Sequence, residues 1–350
     1  MDDCNSDHPF EIKEEVKNKS KYMIAKQLIE PKSIVVVGGS DDIHKPGGTV
    51  LRNLQDGNFK GSLYVVNPKM DEVQGIKAYR DVKDLPEVDC AILAIAAKFC
   101  PSTVEVLAKQ KNAKAFIILS AGFHEENEEG AKLERQIVET INSVGGSLIG
   151  PNCIGVLTNH YSGVFTSPIP ELNPQGVDLI SGSGATALFI MDSGMQKGIK
   201  FNSMYSVGNS AQLGVEEILE YMDESFDPKT SSRVKLLYVE SIEKPEKLLK
   251  HASSLIRKGC RIAAVKSGGS AAGSRAASSH TGALASGISP PSKNLRSAGR
   301  PQAGLGFVWG LANQLVSAYT NRRAGCGALP PFARPIYGKK LPVSSVSQTF

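Results

Sequence analysis

Short strands rich in Val, Ile and Ala alternate with helix-length amphipathic stretches from residue 32 to residue 155. This alternation constrains the fold more than any other feature. It predicts parallel strands joined by helices that cover both faces of the sheet, an α/β fold of the Rossmann-like, doubly wound kind. The predicted strands span 33–38, 63–67, 90–96, 115–122 and 147–155, and the predicted helices include 48–56, 101–110 and 130–143.

The turns after these strands indicate what the sheet binds, because ligands of doubly wound folds lie at the carboxyl ends of the strands. The first strand ends in Gly38-Gly39-Ser40 and lacks the GxGxxG pattern of dinucleotide sites. The second ends in Asn67-Pro68-Lys69, where an NAD site carries Asp or Glu. A lysine there suits a phosphorylated ribose, as in NADP or coenzyme A, and the missing glycine pattern favours coenzyme A. The alternative interpretation is that Asn67-Pro68 only marks a turn.

A second series of strands and helices follows a segment rich in Ser and Pro around residues 167–175. Its predicted strands span 177–181, 203–209, 234–240 and 261–268, with helices ending near residue 196 and starting near residues 214 and 245. The first of these strands runs into Ser181-Gly182-Ser183-Gly184-Ala185. Serine hydroxyls and free N–H groups at a helix N-terminus predict a phosphate site at this turn.

The last of these strands runs into a loop of small residues that carries Lys266, Arg275 and His280. Glycines let backbone N–H groups approach an anion closely, and a helix starting near Gly282 would favour the same anion. We therefore expect His280 to be a phosphorylated nucleophile, with Glu240 at a strand end orienting its imidazole. The alternatives are a solvated loop histidine and a solvated charge.

Charge and cysteine content narrow the class of protein. The net charge of +5 comes from residues 287–350, which hold eight Lys or Arg and no acidic residue, and the rest of the chain has 32 basic and 35 acidic side chains. This tail lacks the aromatic interleaving of a stacking platform, so we expect no nucleic-acid partner. No apolar run approaches the ~20 residues that span a bilayer. The six cysteines show no CxxC pair, so we expect neither a disulfide framework nor a metal site. We also expect a cytoplasmic protein without membrane association.

Together these segments resemble the NDP-forming acyl-CoA synthetases, especially the α-subunit portion of ADP-forming acetate-CoA ligase. The resemblance covers about residues 20 to 286 and is carried by VVVGGSDD, LYVVNPK, ILSAGF, GPNCIGV, SGSGA, SVGNSAQLG, LYVES and KSGGSAAGSRAASSHTGALA. It implies a CoA-binding Rossmann-like domain over 20–160 and a flavodoxin-like, succinyl-CoA-synthetase-like phosphohistidine domain over 161–286. It also implies a reversible reaction in which acyl-CoA, phosphate and ADP give a carboxylic acid, CoA and ATP.

The resemblance also implies roles for individual residues. His280 becomes the phosphohistidine and Glu240 its partner carboxylate. The implied phosphate site consists of Ser181, Gly182, Ser183, Gly184, Ala185 and Gly282. The implied coenzyme A site consists of Gly38, Gly39, Ser40, Asn67, Pro68, Lys69, Ala94, Ala96, Ala97, Ser120, Ala121, Gly122 and Asn152.

Two departures limit what the resemblance implies. The family handles ADP, ATP and magnesium through an ATP-grasp module, which these 350 residues do not supply, so we expect an ATP-grasp β-type partner besides CoA and a small carboxylic acid.

From Ser286 the sequence departs from the family. Residues 287–350, with seven prolines and no acid, predict a disordered tail from a changed reading frame or unrelated exon, or else a divergent basic domain. A truncated CoA-binding protein or pseudoenzyme is the alternative function, and the acyl group, ADP versus GDP and oligomerisation stay open.

Overall fold

The computed structural model describes residues 24–57 and 59–267, which form two β-sheets with helices packed on them. The helices in this part of the chain are α1 (Lys26–Ile29), α2 (Pro46–Asp56), α3 (Cys100–Gln110), α4 (Glu128–Ser143), α5 (Gly184–Gln196), α6 (Val215–Glu224) and α7 (Pro245–Arg257). The strands are β1 (Ser33–Val37), β2 (Ser62–Val66), β3 (Glu72–Val73), β4 (Ile76–Tyr79), β5 (Cys90–Leu93), β6 (Ala115–Ile118), β7 (Ser147–Ile149), β8 (Gly155–Leu157), β9 (Ser162–Val164), β10 (Leu172–Ser181), β11 (Phe201–Ser206), β12 (Val234–Val239) and β13 (Arg261–Lys266).

The first sheet has the strand order β3-β4-β2-β1-β5-β6-β7 and is parallel except for the β3–β4 pair. Its central strand is buried on both faces. Ile34 and Val36 pack in one hydrophobic cluster with the buried face of α2, and Val35 and Val37 pack in another with α3 and α4. The chain moves from β1 to β2 in one direction and then crosses to β5 on the other side, so a crevice opens between the ends of β1 and β5.

The second sheet has the strand order β13-β12-β10-β11-β8-β9. Strands β10 to β13 pair in parallel, whereas β8 pairs antiparallel with both β11 and β9. The chain leaves β10 for β11 on one side and later returns to β12 on the other. The carboxyl ends of β10 and β12 therefore flank a second crevice of the same topological kind.

The predicted α/β class and its two successive sheets are confirmed, but one predicted strand is wrong. Residues 147–155 are not one strand, because β7 ends at Ile149 and Gly150, Asn152 and Gly155 then take positive φ angles of 94°, 56° and 107°. These left-handed positions turn the chain toward the second sheet, which takes β8 even though the predicted range 20–160 includes it.

Several predictions concern residues outside the part that the structure describes. These include His280, Gly282 and Arg275, and the disordered state expected for residues 287–350. Within the described ranges, no helix is long and apolar enough to cross a membrane.

Candidate active site

The turns after β1, β2 and β5 meet at the first crevice. Gly38 has a φ of 87°, and a Cβ atom placed on it would lie 2.5 Å from the carbonyl oxygen of Ala94, so only glycine lets these two turns approach so closely. The Asn67 side chain links the turns after β1 and β2, since its Nδ2 donates to Gly39 O at 2.8 Å. Within its own turn, its Oδ1 accepts from Lys69 N at 2.9 Å. The side chain of Lys69 is left exposed at the rim.

The loop after β6 joins the same group of turns. A Cβ atom on Gly122, whose φ is 105°, would lie 3.2 Å from Cβ of Ala97. Ser120 Oγ donates to Ile95 O, and Ser120 O accepts from Asn152 N at 2.9 Å. The structure thus brings together the turns that hold all thirteen residues predicted for coenzyme A. Their binding role stays a prediction.

The turn after β10 is preorganised at the N-terminus of α5. Ser181 Oγ donates to Ser183 O at 2.7 Å and accepts from Ser183 N at 3.2 Å. Ser183 is the N-cap, and its Oγ accepts from Thr186 N at 3.3 Å. A Cβ atom on Gly184 would lie 2.7 Å from Cγ2 of Ile154, so this turn packs directly against the segment that leaves the first sheet. A helix N-terminus with small residues suits a phosphate.

Glu240 lies beside this turn, at the end of β12. A Cβ atom on Gly182 would be 3.6 Å from Glu240 N and 3.7 Å from its Cγ. The segment that begins at Glu240 is held at both ends. Lys266 Nζ donates to Glu240 O at 2.7 Å, and the Glu216 carboxylate accepts from Glu243 N at 2.9 Å and from Lys244 N at 3.2 Å.

Lys266 therefore holds the backbone beside Glu240. Its Nζ also donates to Ser267 O at 2.8 Å. Partial burial lowers the pKa of the Lys266 ammonium below its ordinary value, against the opposing effect of the Glu240 carboxylate.

A cleft of about 740 Å³ between the two sheets is lined by the predicted phosphate turn, by Glu240 and by Asn152. The other side chains of its wall include His124 and Asn209. The fold thus places Asn152, which was predicted to bind coenzyme A, the turn Gly182–Ala185 and the Glu240 carboxylate around one space. His280 and Gly282 lie outside the described residues, so the contact expected between Glu240 and His280 stays a prediction.

A polar cluster at this cleft was not predicted from the sequence. Glu125 accepts from Gly122 N at 2.7 Å, from Phe123 N at 3.2 Å and from Asn209 Nδ2. Glu134 accepts from Asn209 Nδ2 at 3.2 Å, and its other oxygen lies 2.7 Å from His124 Nδ1. The sequence offered one signal: FHEE begins at the last residue of ILSAGF, a segment that resembles the family. Nothing in the sequence pairs Glu125 with a residue 84 positions away.

The charges in this cluster are held by its hydrogen bonds. Burial alone would raise the pKa of Glu125, but the bonds from Asn209, Gly122 and Phe123 outweigh it and hold that pKa below its ordinary value. The hydrogen bond to Glu134 raises the pKa of His124 against the opposing effect of burial. Ligand atoms of His124, Glu125 and Glu134 lie within 4.8 Å of one another, and the bonds already described engage all three side chains.

The cysteines in the described ranges are free thiols. Cys90, Cys100, Cys153 and Cys260 are all buried and unpaired with one another. Burial raises the pKa of Cys100 and of Cys153 to about 12. They are neutral, packed side chains at neutral pH.

Comparisons with known proteins match both domains. Residues 32–159 match the family described as CoA binding domain, and residues 174–301 match the succinyl-CoA ligase like flavodoxin domain. The second match runs past Ser286, where the sequence was expected to leave the family.

The relatives are CoA ligases. The chain is 38% identical over 264 residues to an ADP-forming acetate-CoA ligase I of Archaeoglobus fulgidus, a match that covers 74% of this chain and 37% of that protein. It is 37% identical over 259 residues to the α subunit of an ADP-forming acetate-CoA ligase II of Pyrococcus furiosus, covering 74% of this chain and 55% of that subunit. The chain thus spans about a third to a half of the length of these relatives.

A solved structure agrees with this assignment. The acetyl-coenzyme A synthetase 1 of Ca. Korarchaeum cryptofilum, in complex with phosphate and ADP, superposes with a TM-score of 0.67 at 33% identity, over 75% of this chain and 55% of that one. The two domains, their order and the sequence identity to the ligases all agree. The chain belongs to the NDP-forming acyl-CoA synthetase family and corresponds to its α-subunit portion.

Proposed function

We propose that the chain is the acyl-transferring half of an acyl-CoA synthetase that converts acyl-CoA, phosphate and ADP reversibly to a carboxylic acid, CoA and ATP. The observation that carries the proposal is the single cleft lined by Asn152, the turn Gly182–Ala185 and Glu240. A reaction between a thioester and phosphate needs both reactants at one place, and positioning of this kind supplies much of the rate enhancement in group transfer.

In the first step, a phosphate oxygen attacks the thioester carbonyl carbon. The carbon–sulfur bond breaks, and the sulfur leaves with its electron pair and takes up a proton, giving acyl phosphate and CoA. The turn Ser181–Ala185 would hold the phosphate through backbone N–H groups at the N-terminus of α5, whose dipole favours an anion.

In the second step, a ring nitrogen of His280 attacks the phosphorus of the acyl phosphate. The bond between phosphorus and the acyl oxygen breaks, and the carboxylic acid leaves as its carboxylate. Glu240 would accept a hydrogen bond from the other ring nitrogen and stabilise the positive charge that develops on the imidazole. The contacts from Lys266 and Glu216 hold the backbone of the segment from Glu240 to Lys244, and a fixed backbone position supports this orienting role.

In the third step, phosphohistidine transfers its phosphoryl group to the terminal oxygen of ADP, and the phosphorus–nitrogen bond breaks. We propose that an ATP-grasp partner binds the nucleotide and its magnesium. Two of the acetate-CoA ligase relatives are named as α subunits, which supports a partner subunit of some kind. The cytoplasmic location expected from the sequence stays a prediction.

The proposal is tested by the phosphorylation of the chain itself. The full chain is incubated with acetyl-CoA and radiolabelled phosphate, and acid-labile, base-stable label is measured. The wild type should be labelled, H280N should carry no label, and E240Q should be labelled roughly 10² to 10⁴ times more slowly, the usual cost of losing a group that assists proton transfer. Label that persists in H280N would place the nucleophile elsewhere. A chain that binds CoA but is never labelled would be a CoA-binding protein without ligase activity.

A further inference from the structure

Asn209 connects the second domain to two carboxylates of the first. It lies in the segment between β11 and α6, and its backbone N–H donates to Pro151 O at 2.9 Å. Its Nδ2 donates to both Glu125 and Glu134. Its Oδ1 accepts from Asn152 Nδ2 at 3.3 Å. The amide is therefore fixed on both sides.

The chemistry of these groups decides which way both amides point. Ionised carboxylates only accept hydrogen bonds, so the Asn209 nitrogen must face Glu125 and Glu134. The Asn209 oxygen then faces Asn152, which must present its nitrogen. One N–H of Asn152 is used in this contact, and the second has no partner among residues 24–57 and 59–267.

Asn152 also occupies the junction between the two binding regions. Its backbone N–H is bonded to Ser120 O in the predicted CoA loop, and Ile154, two residues further on, touches the phosphate turn at Gly184. Asn152 is exposed in the cleft and holds a left-handed φ of 56°, which fixes where its side chain leaves the backbone.

We propose that Asn152 donates this second N–H to the carbonyl oxygen of the reacting thioester, and that Asn209, clamped by Glu125 and Glu134, holds Asn152 in the orientation required. The proposal rests on the proposed function. It changes the role of Asn152 from a CoA-binding residue to a catalytic one.

The donor acts where charge develops. As the phosphate oxygen bonds to the carbonyl carbon, the electron pair of the C=O bond moves onto oxygen, and it returns when the carbon–sulfur bond breaks and the thiolate leaves. The hydrogen bond from a fixed N–H to that oxygen is stronger in the transition state than in the ground state. Glu125 and Glu134 do not touch the reactants, so they are positioning residues. The hydrogen bonds that lower the pKa of Glu125 keep it ionised and hence an acceptor.

The test is single-turnover release of thiol from acetyl-CoA at saturating phosphate, followed with a thiol reagent, alongside calorimetry of CoA binding. N152A should release thiol roughly 10² to 10³ times more slowly, the usual cost of losing one such donor. Its affinity for CoA should stay within about twofold of the wild type, since the donor contacts only the carbonyl oxygen.

The positioning role is tested by exchanging donor and acceptor. N209D places a third carboxylate against Glu125 and Glu134. Repulsion among the three carboxylates displaces the group that accepts from Asn152, so thiol release should slow by about tenfold or more. N209D/E125Q should recover part of that loss, since the introduced glutamine amide can donate to the introduced aspartate while that aspartate still accepts from Asn152. E105Q, a change in an exposed pair on α3, is the matched control and should behave as the wild type.

The outcomes separate this inference from the proposed function. If wild-type protein releases no thiol in the presence of phosphate, the proposed function fails and the inference fails with it. If the wild type is active and N152A loses CoA affinity in proportion to its rate, Asn152 binds CoA and only the inference is wrong. Equal rates for N209D and N209D/E125Q would contradict the positioning role.

Discussion

Lys69 is the residue on which the identity of the cofactor depends most. It is exposed at the carboxyl end of β2, and its backbone is fixed by the Asn67 side chain. Because its ammonium would contact the 3′-phosphate of coenzyme A, K69A should weaken CoA binding by about 1.5 to 3 kcal/mol, the range for a hydrogen bond to a charged group. Isothermal calorimetry on the full chain measures this directly.

The matched ligand for this measurement is 3′-dephospho-CoA. The wild type should bind it more weakly than CoA, and K69A should bind the two alike. Equal affinity of the wild type for both ligands would remove the reason for giving Lys69 this role. Binding of NADP as tight as that of CoA would contradict the choice of cofactor.

Residue types in the sequence predicted more of the turns than of the polar contacts between domains. Gly38, Asn67 and Ser183 were singled out because glycine, asparagine and serine suit turns and helix N-termini, and each has such a local role here. Asn209 could not be paired with Glu125 in this way, because their contact depends on how the two sheets are set against each other. The local role of a turn residue can be predicted from its type, whereas contacts between segments far apart in the sequence cannot.

At the scale of elements, the loop after β6 is tied to helix α4 by a contact that depends on pH. His124 in the loop faces Glu134 on the helix, and the hydrogen bond to Glu134 raises the pKa of His124. A group whose pKa is higher in the folded state stabilises the fold at pH values below its unfolded pKa of about 6.5, and this contribution is lost as the pH rises through the folded pKa.

H124Q should therefore lower the unfolding temperature at pH 6 and have a smaller effect at pH 9. The free energy of unfolding at pH 6 should fall by no more than about 1 kcal/mol, because the His124 side chain is 35% exposed and solvent screens its charge. Thermal unfolding of both proteins across this pH range provides the measurement. The same difference at every pH would show that the ring contributes through packing and not through its charge.

The strands of both sheets were predictable where buried runs of Val, Ile and Ala alternate with amphipathic helices. The structure confirms most of the predicted elements, and the ends of β1, α2 and β12 lie within two residues of the prediction. The short strands β3, β4, β8 and β9 were not predicted. Each has two to four residues, which is too short for a hydrophobic period to stand out.

At the scale of the whole molecule, one segment of the chain joins two crevices of the same topological type. The order in which successive strands are added reverses sides at β1 in the first sheet and at β10 in the second. The segment from Gly150 to Ile154 joins the two crevices and touches both, through Ser120 and Gly184. This segment therefore connects the predicted coenzyme A site to the predicted phosphate site.

The proposed function requires that inorganic phosphate, after joining the acyl group of acyl-CoA, pass through His280 to a nucleotide held by a partner. The most direct measurement is ATP formation from acetyl-CoA, phosphate and ADP by the full chain mixed with a separately supplied ATP-grasp subunit of an ADP-forming acetate-CoA ligase. ATP should form only when both proteins are present, and H280N should abolish it while CoA binding is unchanged. ATP formation that survives H280N, or a wild-type chain that takes up phosphate and never passes it to ADP, would contradict the proposed function.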